Sequence, residues 1–160
     1  MAARLIIMLI VSIIAGQYLP YCTVSASHSL LLNDATFTDK VKEKDTLWLV
    51  KFCVPWCKYC SSAQVVWEEL GKTLDIEDSV EIGHVDCTSS KDTCSKIGIR
   101  SYPTVKLFYD GDEYKKYTGK REVLEIKDFV LNAVYELNKK NSESLLETAP
   151  EFSEAGEDED

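Results

Sequence analysis

The eight residues Thr46-Leu47-Trp48-Leu49-Val50-Lys51-Phe52-Cys53 constrain the fold more than any other stretch of this 160-residue chain. They are almost continuously apolar, which is how a strand reads when both of its faces are covered. Such a strand belongs in the middle of a sheet layered between helices. The flanking patterns agree. Ser29–Leu32 reads as a short strand, and Asn33 or Asp34 is expected to cap a helix reaching about Lys44, with Phe37 and Val41 on one face. Cys57–Leu74 turns helical, placing Ala63, Val66, Trp67, Leu70 and Leu74 at spacings of three and four. Val80–Val85 is a second long strand, and Asp92–Ile97 a short helix stopped by Gly98. Thr104–Tyr109 and Glu113–Tyr117 flank Asp110-Gly111, a hairpin signal. A last helix, about Val123–Asn138, repeats Val123, Ile126, Val130, Val134 and Leu137 on one stripe. The expected fold class is α/β, a mixed central sheet with helices on both faces.

The two ends read differently from the middle. Arg4, the apolar run Leu5–Ala15 and the small residues Ser25, Ala26 and Ser27 form the pattern of a secretory signal peptide cleaved after Ala26. The run has about 11 strongly apolar residues where a membrane span needs about 20. Residues 1–26 are therefore expected to be removed, leaving a domain over 27–138 that meets an oxidising compartment. The net charge is −9, from 18 basic and 27 acidic residues. That balance repels phosphate and anionic lipid, so no nucleic acid and, after removal of the signal, no membrane is expected as a partner. The acids crowd into residues 139–160, which end Glu157-Asp158-Glu159-Asp160 and are expected to be a disordered acidic tail. No retention tetrapeptide closes the chain, so the expected location is the endoplasmic reticulum lumen or the exterior.

Cys57-Lys58-Tyr59-Cys60 carries the chemistry. It follows the apolar strand and opens an amphipathic helix, where unpaired backbone N–H groups and the positive dipole end favour a thiolate. Cys57, the outer cysteine, is the candidate nucleophile. Cys60, one turn further in, is the candidate to resolve a mixed disulfide. The pair would also be half of a zinc site, but His28, His84, Cys87 and Cys94 offer no second knuckle of the usual spacing, and no metal is expected. Five cysteines remain once Cys22 leaves with the signal, so one is unpaired within the chain.

Phe52-Cys53-Val54-Pro55-Trp56-Cys57-Lys58-Tyr59-Cys60, Trp67-Glu68-Glu69-Leu70, Val85-Asp86-Cys87-Thr88 and Gly98-Ile99-Arg100-Ser101-Tyr102-Pro103-Thr104 resemble successive blocks of a catalytic thioredoxin domain of the protein disulfide isomerase family. The chain is most similar to the small single-domain isomerase-like proteins of plants, over about residues 28–138. The resemblance implies a thioredoxin fold and a redox-active disulfide between Cys57 and Cys60. It puts Pro103 on the family's cis-proline and implies that Trp56, Tyr102 and Pro103 receive an extended substrate. It assigns Arg100 to tuning the second cysteine's pKa, and Cys87–Cys94 to a structural disulfide found in some members. It needs no cofactor. The chain departs from the family pattern where Lys58-Tyr59 replaces the usual Gly-His, and where Val65 takes the place of a kinking proline. Lys51 takes the place of a buried acid. Three readings of Lys51 compete: a neutral amine serving as base, an ammonium stabilising a thiolate, or a side chain snorkelling to water, and the last is favoured. Cys53 is expected to be a free, buried core thiol.

Two functions follow. One is an enzyme, a protein disulfide isomerase-like thiol-disulfide oxidoreductase. Its partners would be unfolded or misfolded thiol-containing secretory proteins and a redox partner such as glutathione or an oxidase, and it would work as a monomer. The other is a redox-weak chaperone or adaptor holding unfolded clients in the cis-proline groove.

Overall fold

The computed structural model describes residues 28–147. The leader with Cys22, and the tail beyond residue 147 with Phe152, lie outside the described residues. In chain order the elements are β1 Leu30–Leu32, α1 Phe37–Val41, β2 Leu47–Cys53, α2 Lys58–Leu74, β3 Val80–Asp86, α3 Lys91–Lys96, β4 Thr104–Tyr109, β5 Asp112–Tyr117 and α4 Val123–Glu147. The sheet runs β1-β3-β2-β4-β5. β2 is parallel to β3 and antiparallel to β4, so the most apolar segment is the central strand. This is the thioredoxin fold.

Strand periodicity of two sorts the core into two halves. Trp48, Val50 and Phe52 face Phe37, Val41 and Phe108, whose rings meet edge to face, with Phe37 5.3 Å from Phe108. Leu47 and Leu49 turn the other way, against Trp67, Leu70 and Leu74 of α2 and Ile126 and Val130 of α4. Each such fully buried side chain contributes on the order of 1.5–3 kcal/mol. The odd-numbered face of β2 continues through Lys51 to Cys53. It delivers a cation and a thiol beneath the first turns of α2.

The turns follow their residues. Asp110 and Gly111 both take positive φ, 51° and 92°, as a two-residue hairpin connection demands. Gly98, at φ 69°, ends the segment after α3. Among the described residues no helix is long and apolar enough to cross a membrane.

Two helix expectations need correction. The first helix does not run from Asn33 or Asp34 to Lys44. The Asn33 side chain accepts from the N–H groups of Ala35 and Thr36 at 2.9 and 3.1 Å, which makes a turn ahead of the five-residue α1. Asp34 is drawn elsewhere: its carboxylate accepts from the Thr93 N–H at 2.8 Å, and the Thr93 hydroxyl, followed by that N–H, holds its pKa below the ordinary value. It thus caps α3, whose own N-cap Ser90 makes no side-chain cap bond. The last helix does not stop at Asn138 but runs to Glu147, so residues 139–147 are not the unstructured chain expected there. Helix-forming Lys, Leu and Glu residues extend it, with a Lys139–Glu143 pair one turn apart at 3.9 Å.

Candidate active site

β2 ends at Cys53, and the buried Val54 anchors the connection by accepting the Cys57 N–H at 3.2 Å. Cys57 is the N-cap of α2, with extended backbone at φ −81° and ψ 111°. Its Sγ accepts the Cys60 N–H at 3.4 Å, the capping role a serine or aspartate oxygen usually fills. The thiol is free and half-buried, and it donates to the Tyr102 carbonyl at 3.6 Å. The Tyr102–Pro103 bond is cis, and both residues are half-buried. Cys57 therefore lies between a helix N-terminus and the loop backbone just ahead of β4. Trp56 and Tyr59 project from the same turn, 76% and 65% exposed, with the Arg121 guanidinium 5.5 Å from the Tyr59 ring centroid. Two exposed aromatic side chains on one turn beside the thiol give a partner apolar surface to contact.

Cys60 is buried one turn deeper and is not paired as expected. It is joined to Cys53, with the two Cα atoms 5.8 Å apart, while Cys57 keeps the free thiol. In this structure, then, Cys53 is not the free core thiol expected, and Cys57 and Cys60 are not bonded to one another. The physical reason lies in strand parity. Cys53 follows Lys51 by two residues on β2, so both point at the underside of α2, where Cys60 points down. A Cα separation of about 5.5–6 Å is the commonest one for a disulfide.

Lys51 does not snorkel to water. It is 3% exposed, donates to Gln64 Oε1 at 2.9 Å and sits 5.2 Å from the Trp67 ring centroid. Burial lowers its pKa to about 8, with Glu68 pulling weakly the other way. Directly across the β2–β3 register stands His84, whose imidazole pKa is lowered by burial and then by the Lys51 charge. Its Nδ1 bonds the Ser29 hydroxyl at 3.0 Å, and that hydroxyl accepts the Trp67 indole N–H at 3.1 Å. The sequence reading weighed His84 only as a zinc ligand. Nothing in its local sequence signals this position, because register alone puts it beside Lys51. Lys51, Cys53, Cys60, Gln64, His84 and Asp86 share the wall of a cleft of about 510 Å³.

Other predicted residues stay apart from this cluster. Arg100 is exposed and makes no hydrogen bond or ion pair among the described residues. Cys87 and Cys94 are joined by a disulfide that ties the end of β3 to α3, 5.7 Å between Cα atoms. Among the described residues no group of three His, Cys, Asp or Glu side chains is placed to hold a metal ion.

Comparison with known proteins gives this geometry its family. The thioredoxin family model matches residues 28–132. Protein disulfide isomerase-like 5-1 of Oryza sativa subsp. japonica is 54% identical over 106 residues, 66% of this chain and 72% of the relative. Protein disulfide-isomerase 5-1 of Arabidopsis thaliana is 47% identical over 131 residues, 82% of this chain and 87% of the relative. Among solved structures, the Trx4 domain of ERdj5 superposes with a TM-score of 0.60 at 29% identity, covering 68% of this chain and 96% of that one. With the family model matched over most of the described residues and both plant relatives covered over more than two thirds of their length, the chain belongs to the protein disulfide isomerase family of thioredoxin-fold proteins.

Proposed function

We propose that the chain is a thiol-disulfide oxidoreductase and isomerase acting on unfolded, thiol-containing proteins of the secretory pathway. The observation that carries this reading is the placement of Cys57: a free, half-exposed thiol at a helix N-cap, held by the Cys60 N–H and facing the Tyr102 carbonyl. A thiolate there attacks a client disulfide and releases one client thiol, and the client stays on Cys57 as a mixed disulfide. Attack by Cys60 on Cys57 Sγ frees the client and leaves a Cys57–Cys60 disulfide. Run in reverse, the same steps oxidise a dithiol client. Trp56, Tyr102 and Pro103 are assigned to receiving the extended client, through exposed aromatic surface and backbone. Lys51, a buried cation on the wall that Cys60 shares, is assigned to lowering the Cys60 thiol pKa by favouring its thiolate. Arg100, exposed on the loop ahead of the cis bond, is assigned to tuning the same cysteine. Glutathione or an oxidase would reset the pair, after removal of residues 1–26 during entry to the endoplasmic reticulum.

A second reading, a redox-weak client binder, is favoured by one observation: Cys60 is engaged by Cys53, which leaves Cys57 without its resolving partner. Insulin reduction and client trapping decide between the two. Cys57→Ser is expected to abolish both, whereas Cys60→Ser accumulates long-lived adducts on Cys57. Undiminished client capture by Cys57→Ser, with no insulin turnover by the unmutated chain, would instead establish the binder. N-terminal sequencing of the secreted protein is expected to begin at Ser27.

A further inference from the structure

We propose that Cys53 is a third redox cysteine of this centre. It takes over Cys60 from the Cys57–Cys60 disulfide, so that the oxidised protein keeps a free thiol on Cys57. This rests on the exchange chemistry proposed above and adds to it a residue outside the Cys-x-x-Cys turn.

Three observations support it. Cys53 and Cys60 are already bonded, across a Cα separation that both residues reach with β2 and α2 intact. Cys57 is meanwhile not idle, because its sulfur retains the Cys60 N–H and the Tyr102 carbonyl. Finally, Cys53 and Cys60 share the cleft with Lys51, His84 and Asp86, so groups able to accept a proton line the space where the exchange occurs. The third is what separates this arrangement from a purely structural bridge such as Cys87–Cys94, both of whose residues are buried against the other core half.

The step balances without any external oxidant. Cys53 gives up its proton to the cleft wall, and its thiolate attacks Cys60 Sγ. The Cys53–Cys60 bond forms as the Cys57–Cys60 bond breaks, and the electron pair leaves on Cys57 as a thiolate. One disulfide is exchanged for another and no residue is oxidised overall. The consequence is chemical. Isomerisation must begin with a reduced nucleophile, and a two-cysteine centre loses its nucleophile when oxidised. A three-cysteine centre stores the disulfide beneath the helix and keeps the outer thiolate available.

The test uses the unmutated mature chain, equilibrated in glutathione buffers of graded ratio and quenched with acid. Free thiols are blocked with N-ethylmaleimide, and disulfides are then reduced and labelled with iodoacetamide. Chymotryptic cleavage at Trp56 separates Cys53 from Cys57. The expected result is a species, appearing and disappearing with the buffer ratio, in which Cys57 carries the maleimide while Cys53 and Cys60 carry the second label. Cys53→Ala is expected to lose that species and to protect Cys57 with Cys60 instead. Maleimide on Cys53 in every buffer overturns the proposal, as does a Cys53–Cys60 bond that no glutathione ratio opens. The labelling reads connectivity and not turnover, so it stands or falls separately from insulin reduction measured on the same samples.

Discussion

At residue scale, Lys51 is a cation placed where a central strand offers little to solvate it. Its amine ordinarily titrates at 10.5 and in the folded protein at about 8, a difference worth roughly 3 kcal/mol. The sign follows from linkage. Between about pH 8 and 10.5 the unfolded chain holds the proton that the folded one has lost, so stability rises with pH across that window. Below about pH 8 the penalty is present in full. Lys51→Met is accordingly expected to exceed the wild type in stability at pH 7 by about 1–3 kcal/mol, part of the gain being offset by the lost contact with Trp67. That advantage should shrink towards pH 10. Urea unfolding of the oxidised proteins at the two pH values checks it, and an equal advantage at both would clear the charge of blame. Lys51→Glu acts on chemistry as well. An anion beside Cys60 opposes its thiolate, so this variant should be less oxidising than the wild type in a glutathione titration.

At the scale of elements, two ties position the site without touching it. The Cys87–Cys94 disulfide closes an eight-residue ring between the end of β3 and α3, with its cysteines seven apart. Loop entropy assigns such a ring about 2.5 kcal/mol. The double Cys87→Ala, Cys94→Ala variant should lose about that much in urea unfolding and keep its insulin reduction. Lys106 of β4 is the second tie: 7% exposed, it donates to Glu113 of β5 at 2.6 Å and to the Ile97 carbonyl at 3.0 Å. It thus pins the start of the 98–103 loop, which carries Tyr102 and Pro103, to the hairpin. Glu113 is partly exposed, so water replaces much of what Glu113→Gln removes, and that change should cost about 1 kcal/mol. A slower Cys57 reaction with insulin in the same variant would show that the tie also positions the loop.

For the whole molecule, the charge lies largely outside the core. Residues 139–160 hold eight acids against Lys139 and Lys140, a net of −6, which leaves −3 of the −9 for the rest. The core stripe of α4 ends at Leu137. Truncation after Asn138 removes the exposed 3.4 Å bond from Asn141 Nδ2 to the Tyr109 hydroxyl and should change unfolding stability by no more than about 1 kcal/mol. A larger loss in calorimetry would mean that the extension of α4 docks on the domain.

What was legible in the sequence is what depends on neighbours along the chain. The nearly continuous apolar character of Leu47–Cys53, broken only at Lys51, determined a central strand, the three-and-four spacing of Ala63, Trp67, Leu70 and Leu74 determined the buried face of α2, and Asp110-Gly111 determined the hairpin. The position of Cys57 at a helix N-cap was legible for the same reason, because capping is a local bond between residues three apart. The tertiary structure decided whatever needs two distant segments to meet. Asp34 left its own helix to cap α3, fifty-nine residues away. Lys51 lost its route to water because Trp67 and Gln64 close over it, and His84 became its neighbour only through parallel register. The choice of Cys53 over Cys57 as partner of Cys60 belongs to the same class. Sequence spacing reports that Cys57 and Cys60 are close along the chain, whereas only the packing of β2 beneath α2 brings Cys53 to bonding separation from Cys60 as well.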